Sequence, residues 1–240
     1  MKVRKPPQSG SLGDNVAKRN RFGQYETKKV STKYRHTAAR RRSCQNMTTF
    51  ARLWNKITEE QREAWRRRAV EVQSRPRLGV SGPLTGQNLI VKINTVLATC
   101  GCKPLLDTPE IPEFAINPVI GLTVANGQDG LVLKLRLSGR LTQEIMVFGS
   151  PPRNAGRASS NTYAFLGLLP AGGECEREIT RLYTKKYGVP AAGSRVFIRT
   201  WPQENGWEGR GLMRVFSAIV PAKKRAVGSQ KGRRAGAKAG

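Results

Sequence analysis

The stretch YRHTAARRRSCQNMTTFARLWNKITEEQREAWRRRAVEV, residues 34–72, decides how this chain is read. Two arginine triplets, Arg40, Arg41, Arg42 and Arg66, Arg67, Arg68, flank an apolar series. Cys44, Met47, Phe50, Trp54 and Ile57 recur at steps of three and four, which sets them along one helical face. Thr58, with Gln61 three positions on, fits a capping box. A second helix is therefore predicted from there, with Trp65, Ala69 and Val72 on its apolar side. Trp54 and Trp65 lie on these stripes and read as packing anchors ahead of base-stacking platforms. Glu63 and Arg67 have the i,i+4 spacing of an internal ion pair. A DNA-reading helix-turn-helix is disfavoured, because the joint Lys56-Ile57-Thr58 is short and lacks glycine.

This segment lies in the more basic end of a 240-residue chain, long enough for one large domain or two small ones. Lys and Arg number 43 against 16 Asp and Glu, a formal net charge of +27. Residues 1–82 contribute +15 and residues 222–240 contribute +7, while the long middle, 83–221, contributes only +5. An ordinary body thus carries cationic ends. Such an excess attracts phosphate backbones whatever their sequence, which ranks nucleic acid ahead of an anionic membrane surface or plain solubility charge. The residues expected to contact nucleic acid are Lys18, Arg19, Arg21, Lys28, Lys29, Arg35, the two arginine triplets, Lys223, Lys224, Arg225, Lys231, Arg233 and Arg234. Phe22 and Tyr25 alternate with these cations; they either stack on bases, which favours RNA over DNA, or are buried in a short strand or hairpin edge.

Outward from the helices, residues 1–36 read as an extended basic arm broken by Pro6, Pro7, Gly10, Gly13 and Gly23. Residues 37–102 form a helical segment of about three helices. The third starts at Thr85, shares Leu89, Ile93, Val96, Leu97 and Cys100 on one face, and stops at Gly101. Residues 103–118 hold four prolines and read as a linker at the domain boundary. Strands are predicted over 119–125, 131–138, 143–149, 163–168, 178–187, 195–201 and 212–220, separated by turns such as Asn126-Gly127 and Asn205-Gly206. Seven short strands within 119–221 match an immunoglobulin-like β-sandwich without the Cys…Trp…Cys signature of antibody domains. The expected class is α+β, ending in a basic tail over 222–240.

Catalytic chemistry is not expected. The single histidine, His36, has no neighbouring carboxylate, and no nucleophile elbow, phosphate-binding loop or dinucleotide fingerprint occurs. Cys44, Cys100, Cys102 and Cys175 lack zinc-ligand spacing and read as reduced thiols of a cytoplasmic protein. Glu174, Glu176 and Glu178 alternate around Cys175, an array that reads as a solvated strand start ahead of a divalent-cation site. Asp107, Glu110 and Glu113 sit in the proline-rich segment without a fixed geometry. No cofactor, metal or small-molecule substrate is expected, no signal peptide is visible, and no apolar run reaches the roughly 18 residues of a membrane span.

Gly10-Ser11-Leu12-Gly13-Asp14, Arg19-Asn20-Arg21-Phe22-Gly23-Gln24, the run from Leu53 to Trp65, and Leu84-Thr85-Gly86-Gln87-Asn88-Leu89 resemble a class of uncharacterised bacterial proteins. Those proteins have a glycine-punctuated basic start, a Trp/Arg-rich helical segment and an immunoglobulin-like sandwich. The resemblance covers mainly the first 100 residues, implies no activity, and does not extend to the basic tail. The functional expectation is a non-catalytic nucleic-acid-binding protein of a ribonucleoprotein, nucleoid or packaged genome. The alternative is a structural subunit of a virion, filament or surface array.

Overall fold

The computed structural model of the chain describes residues 10–20, 23–29, 37–73, 82–127 and 130–222. The chain falls into two compact units, Met1–Pro112 with Asn205–Trp207, and Glu113–Glu204 with Glu208–Gly240. It is of α+β class, with helices and several antiparallel sheets.

In the first unit, residues 10–28 depart from the extended arm read from the sequence. Strands β1 (Gly10–Leu12), β2 (Asn15–Asn20) and β3 (Gly23–Lys28) form an antiparallel sheet in that order. The glycines that argued against a continuous element are its punctuation. Gly13 lies between β1 and β2 with φ 56°, a left-handed value that glycine adopts at little cost.

Helices α1 (Ala38–Leu53), α2 (Glu59–Val70) and α3 (Gly86–Cys100) follow. The local signals account for their ends. Thr58 accepts from the Gln61 amide while the Gln61 side chain accepts from the Thr58 amide, a reciprocal box that satisfies two otherwise orphaned donors. Thr85 caps α3, and Gly101 closes it in the left-handed conformation at φ 79°. Trp65 and Ala69 of α2 and Leu89, Ile90, Ile93 and Leu97 of α3 are buried.

The stripe predicted on α1 is buried over only half its length. Phe50 and Ile57 are covered, whereas Met47 is 53% exposed and Cys44 is exposed. Met47, Thr48 and Ala51 line a shallow groove with Gln87, Asn88 and Val91 of α3. At this level α1 meets polar side chains, so its apolar residues find little to pack on.

Gly86 lets the helices approach closely. A methyl group there would lie 2.9 Å from Trp54 Cη2 and 3.0 Å from the Arg66 backbone nitrogen. Alanine's helix preference is worth about 1 kcal/mol over glycine, but overpacking against backbone that cannot step aside costs about 1–3 kcal/mol. Gly86→Ala is therefore expected to lower stability by about 1 kcal/mol, read as an earlier urea midpoint with an unchanged slope.

The proline-rich stretch is fastened at both ends. Asn94, fully buried on α3, donates to the Leu105 carbonyl at 3.0 Å and accepts from the Leu105 amide at 2.7 Å. Trp65 donates its indole N–H to the Leu106 carbonyl at 2.7 Å, and Gln61 donates to Asp107 at 2.8 Å. Asp107 thus has the fixed geometry that the sequence reading denied it. Further along, the side chain of buried Asn117 donates to the Thr200 carbonyl and hydroxyl and accepts from the Val119 amide.

In the second unit, β4 (Val119–Gly127), β5 (Gly130–Leu137) and β9 (Glu176–Glu178) make one antiparallel sheet. The larger sheet is built on the long strand β10 (Ser194–Glu204). One flank of β10 pairs with β6 (Glu144–Gly149) and briefly with β7 (Arg153–Asn154), and β8 (Ala164–Leu169) continues beyond β6. β11 (Trp207–Glu208) follows the turn at Asn205, a residue grouped with the first unit, whose φ of 47° suits an Asn-Gly hairpin. After a 3₁₀ turn at Arg210–Leu212, β12 (Arg214–Ile219) pairs with β10.

Both sheets contribute to one core. Leu133, Leu135 and Leu137 of β5 meet Ile145 and Val147 of β6 and Val196 and Ile198 of β10. The strand predicted over 178–187 is instead mostly helix α4 (Thr180–Tyr187). Ile179, Leu182, Tyr183 and Tyr187 have helical spacing, which outweighed the local strand preference. Tyr183 and Tyr187 donate to the Ser150 and Gly149 carbonyls at 2.9 Å each, and burial raises the pKa of both phenols. Six of the seven predicted strands form, as β4, β5, β6, β8, β10 and β12, and the short strands β7, β9 and β11 are additional to them.

Candidate nucleic-acid interface

The hairpin register sorts the N-terminal cations. Side chains directly opposite in an antiparallel pair share a face, and neighbours along a strand alternate. Lys18 stands opposite Tyr25, so these two share one face. Arg19 stands opposite Gln24, and Lys28 opposite Asn15, so Arg19 and Lys28 occupy the other. Tyr25 is half-buried, while Lys18, Arg19, Lys28 and Lys29 are exposed. The expected run of cations interleaved with aromatics is thus two faces of a ribbon. Arg21, Phe22 and Arg35, together with Lys223, Lys224, Arg225, Lys231, Arg233 and Arg234, lie outside the described residues.

The arginine triplets differ in electrostatic setting. Arg40, Arg41 and Arg42 are exposed in the first turns of α1, where Thr37 caps the Arg40 amide and the first turn holds no acid. Cations at a helix N-terminus oppose the macrodipole, whereas anions are favoured there. Arg66 lies among carboxylates. It pairs with Glu59 at 2.7 Å and Glu63 at 3.1 Å, and its guanidinium lies 5.8 Å from the centre of the Trp54 ring. Hydrogen bonding to these carboxylates raises the Arg66 pKa, and Arg66 in turn leads the lowering of Glu59. Arg68 pairs with Glu71 at 3.1 Å. Glu63 therefore bonds Arg66 rather than the expected Arg67, which is exposed.

The glutamate trio near Cys175 faces a cation. Lys134 pairs with Glu176 at 3.0 Å, and its pKa is raised by that hydrogen bond first, with Glu178 and Glu174 adding to it. All three glutamates are exposed, and among the described residues no cluster of His, Cys, Asp or Glu has metal-binding geometry. An open depression of about 490 Å³ is lined by Trp54, Arg66, Leu84, Thr85, Gly86 and Gln87. It offers a cation and an aromatic face but no acid–base pair. No described helix is long and apolar enough to cross a membrane.

One constellation was missed in the sequence. On the face of the larger sheet away from the core, Phe165, Phe148, Arg199 and Val215 stand in register across β8, β6, β10 and β12. A bulge between β6 and β8 brings Phe165 opposite Phe148. Phe148 meets Phe165 edge-on at 5.4 Å and stacks on Trp201 at 4.1 Å. The Arg199 guanidinium lies 3.9 Å from the centre of the Tyr163 ring. In the sequence its trace is Arg195, Phe197, Arg199 and Trp201 at alternate positions, a pattern that by itself announces only a strand.

No family model, curated protein or solved structure matches the chain.

Proposed function

We propose that this chain is a non-catalytic nucleic-acid-binding protein that holds phosphate backbones with its basic flanks, as a component of a ribonucleoprotein, nucleoid or packaged genome. The observation that carries the reading is the charge partition of the chain, because 22 of its 27 excess positive charges lie in residues 1–82 and 222–240. Arg41 and Arg42, exposed near the start of a helix whose first turn holds no acid, add to it, since an anion is favoured at that end of a helix dipole. In this reading the sheet body, which we take as a variation on an immunoglobulin-like sandwich, is the rigid anchor. RNA ranks ahead of DNA, and the setting is cytoplasmic.

A second reading, a structural subunit, draws on Ile120, Val215 and Ile219, each about half exposed on strands β4 and β12. Purification with and without nuclease separates the two. Nucleic acid that copurifies, seen as a raised 260/280 nm absorbance ratio that nuclease abolishes, supports the first. An assembly that survives nuclease and contains no nucleic acid rejects it in favour of the second.

A further inference from the structure

The outer face of the larger sheet carries a second, chemically distinct feature. Flat rings are arrayed across strands, with Tyr163, Phe165 and Phe148 only half-buried. Arg199 rests on Tyr163, and Arg195, four residues back on the same strand face, donates to the Arg157 carbonyl at 3.0 Å; neither pairs with a carboxylate among the described residues. Arg153 stands directly across the ladder from Arg195, a like-charge juxtaposition that is unfavourable until an anion lies between or beside the pair. Trp201, 6% exposed, stacks on Phe148 at 4.1 Å and backs the ring row from within the sheet.

We infer that this face binds unpaired bases of a single-stranded nucleic acid, with Phe148, Phe165 and Tyr163 as the stacking platform and Arg195 and Arg199 on the flanking phosphates. Rings at a sheet surface offer π-faces that any base can cover once it is out of a duplex, and arginines beside them neutralise the connecting backbone. A duplex hides its base faces and would engage only the charges. This rests on the nucleic-acid reading above but assigns strand state to a particular surface, one remote in sequence from both basic flanks. A protein partner is the competing occupant. The two arginines, whose charges no described carboxylate balances, favour the polyanion, because an apolar protein contact would have to desolvate both charges.

The test uses the full chain with a fluorescein-labelled oligouridine of about 12 nucleotides and a double-stranded RNA of the same length, at matched salt. Phe165→Ala combined with Arg199→Gln should weaken single-strand binding by about 10-fold or more, while duplex binding stays within about two-fold, as expected for sequence-independent phosphate contact. Tyr163→Leu, outside the strands, repeats the test should the double variant not fold, judged by circular dichroism. Equal losses on both probes, or no loss on the single strand, overturn the inference and leave the basic flanks as the binding agents. A wild-type chain that binds neither probe rejects the broader nucleic-acid reading as well. Should the variants instead convert a sedimenting oligomer to monomer without changing single-strand affinity, the face is a subunit contact and the inference fails.

Discussion

Raising salt from about 50 to about 200 mM should weaken binding of the intact chain to a nucleic acid by about 1,000-fold or more. Each phosphate neutralised by a Lys or Arg releases a condensed counterion, which gives log K a slope of about −0.7 to −0.9 per contact against log salt. The chain has many exposed cations to spend on such contacts. Replacing Arg41, Arg42 and Arg67 with glutamine and removing residues 223–240 deletes ten positive charges, three from the helices and seven from the tail. The slope should flatten by several units if most of these touch phosphate. Arg67→Gln alone should flatten it more than Arg66→Gln, because Glu59 and Glu63 already occupy Arg66. The readout is fluorescence anisotropy across a salt series. A slope indifferent to all of these changes would mean that the basic flanks do not carry the binding.

Trp65→Ala should cost about 3–5 kcal/mol, a third or more of the roughly 5–15 kcal/mol that holds a typical domain folded. Trp65 has no exposed surface, and its indole ties α2 to the Leu106 carbonyl. Alanine removes the packing and leaves that carbonyl unanswered. Trp65→Phe keeps an aromatic ring in the core while losing the donor and part of the ring system, for a smaller expected cost of about 1–3 kcal/mol. Equilibrium denaturation in urea of the full chain, followed by circular dichroism at helix wavelengths, distinguishes these sizes. A tolerated Trp65→Ala would remove Trp65 from its place as the anchor of the helical unit.

The features legible in the sequence were those set by neighbours a few residues apart. The Thr58 and Gln61 box, the Gly101 stop and the alternating leucines of β5 each depend on local chemistry, and the corresponding elements form. What escaped depended on distant partners. Nothing near Asn94 announces that it will clasp Leu105, and nothing near Trp65 points to Leu106. The 178–187 segment supported two periodicities, and the core chose the helical one once Tyr183 had Ser150 to reach. In the candidate site, the cations were visible but their individual circumstances were not. Arg66 and Arg67 are adjacent and alike in sequence, yet one is held by two carboxylates and the other projects into solvent. The row from Phe165 to Val215 needed a fold to exist at all, because its members come from separate strands.

The parity of the N-terminal hairpin sets how such a protein would organise what it binds. With Lys18 on one side and Arg19 and Lys28 on the other, the ribbon has no single adhesive surface. A one-sided cation stripe would coat a polymer along its length; a two-sided one acts as a rivet, fixing one segment to another and drawing the polymer into a compact mass.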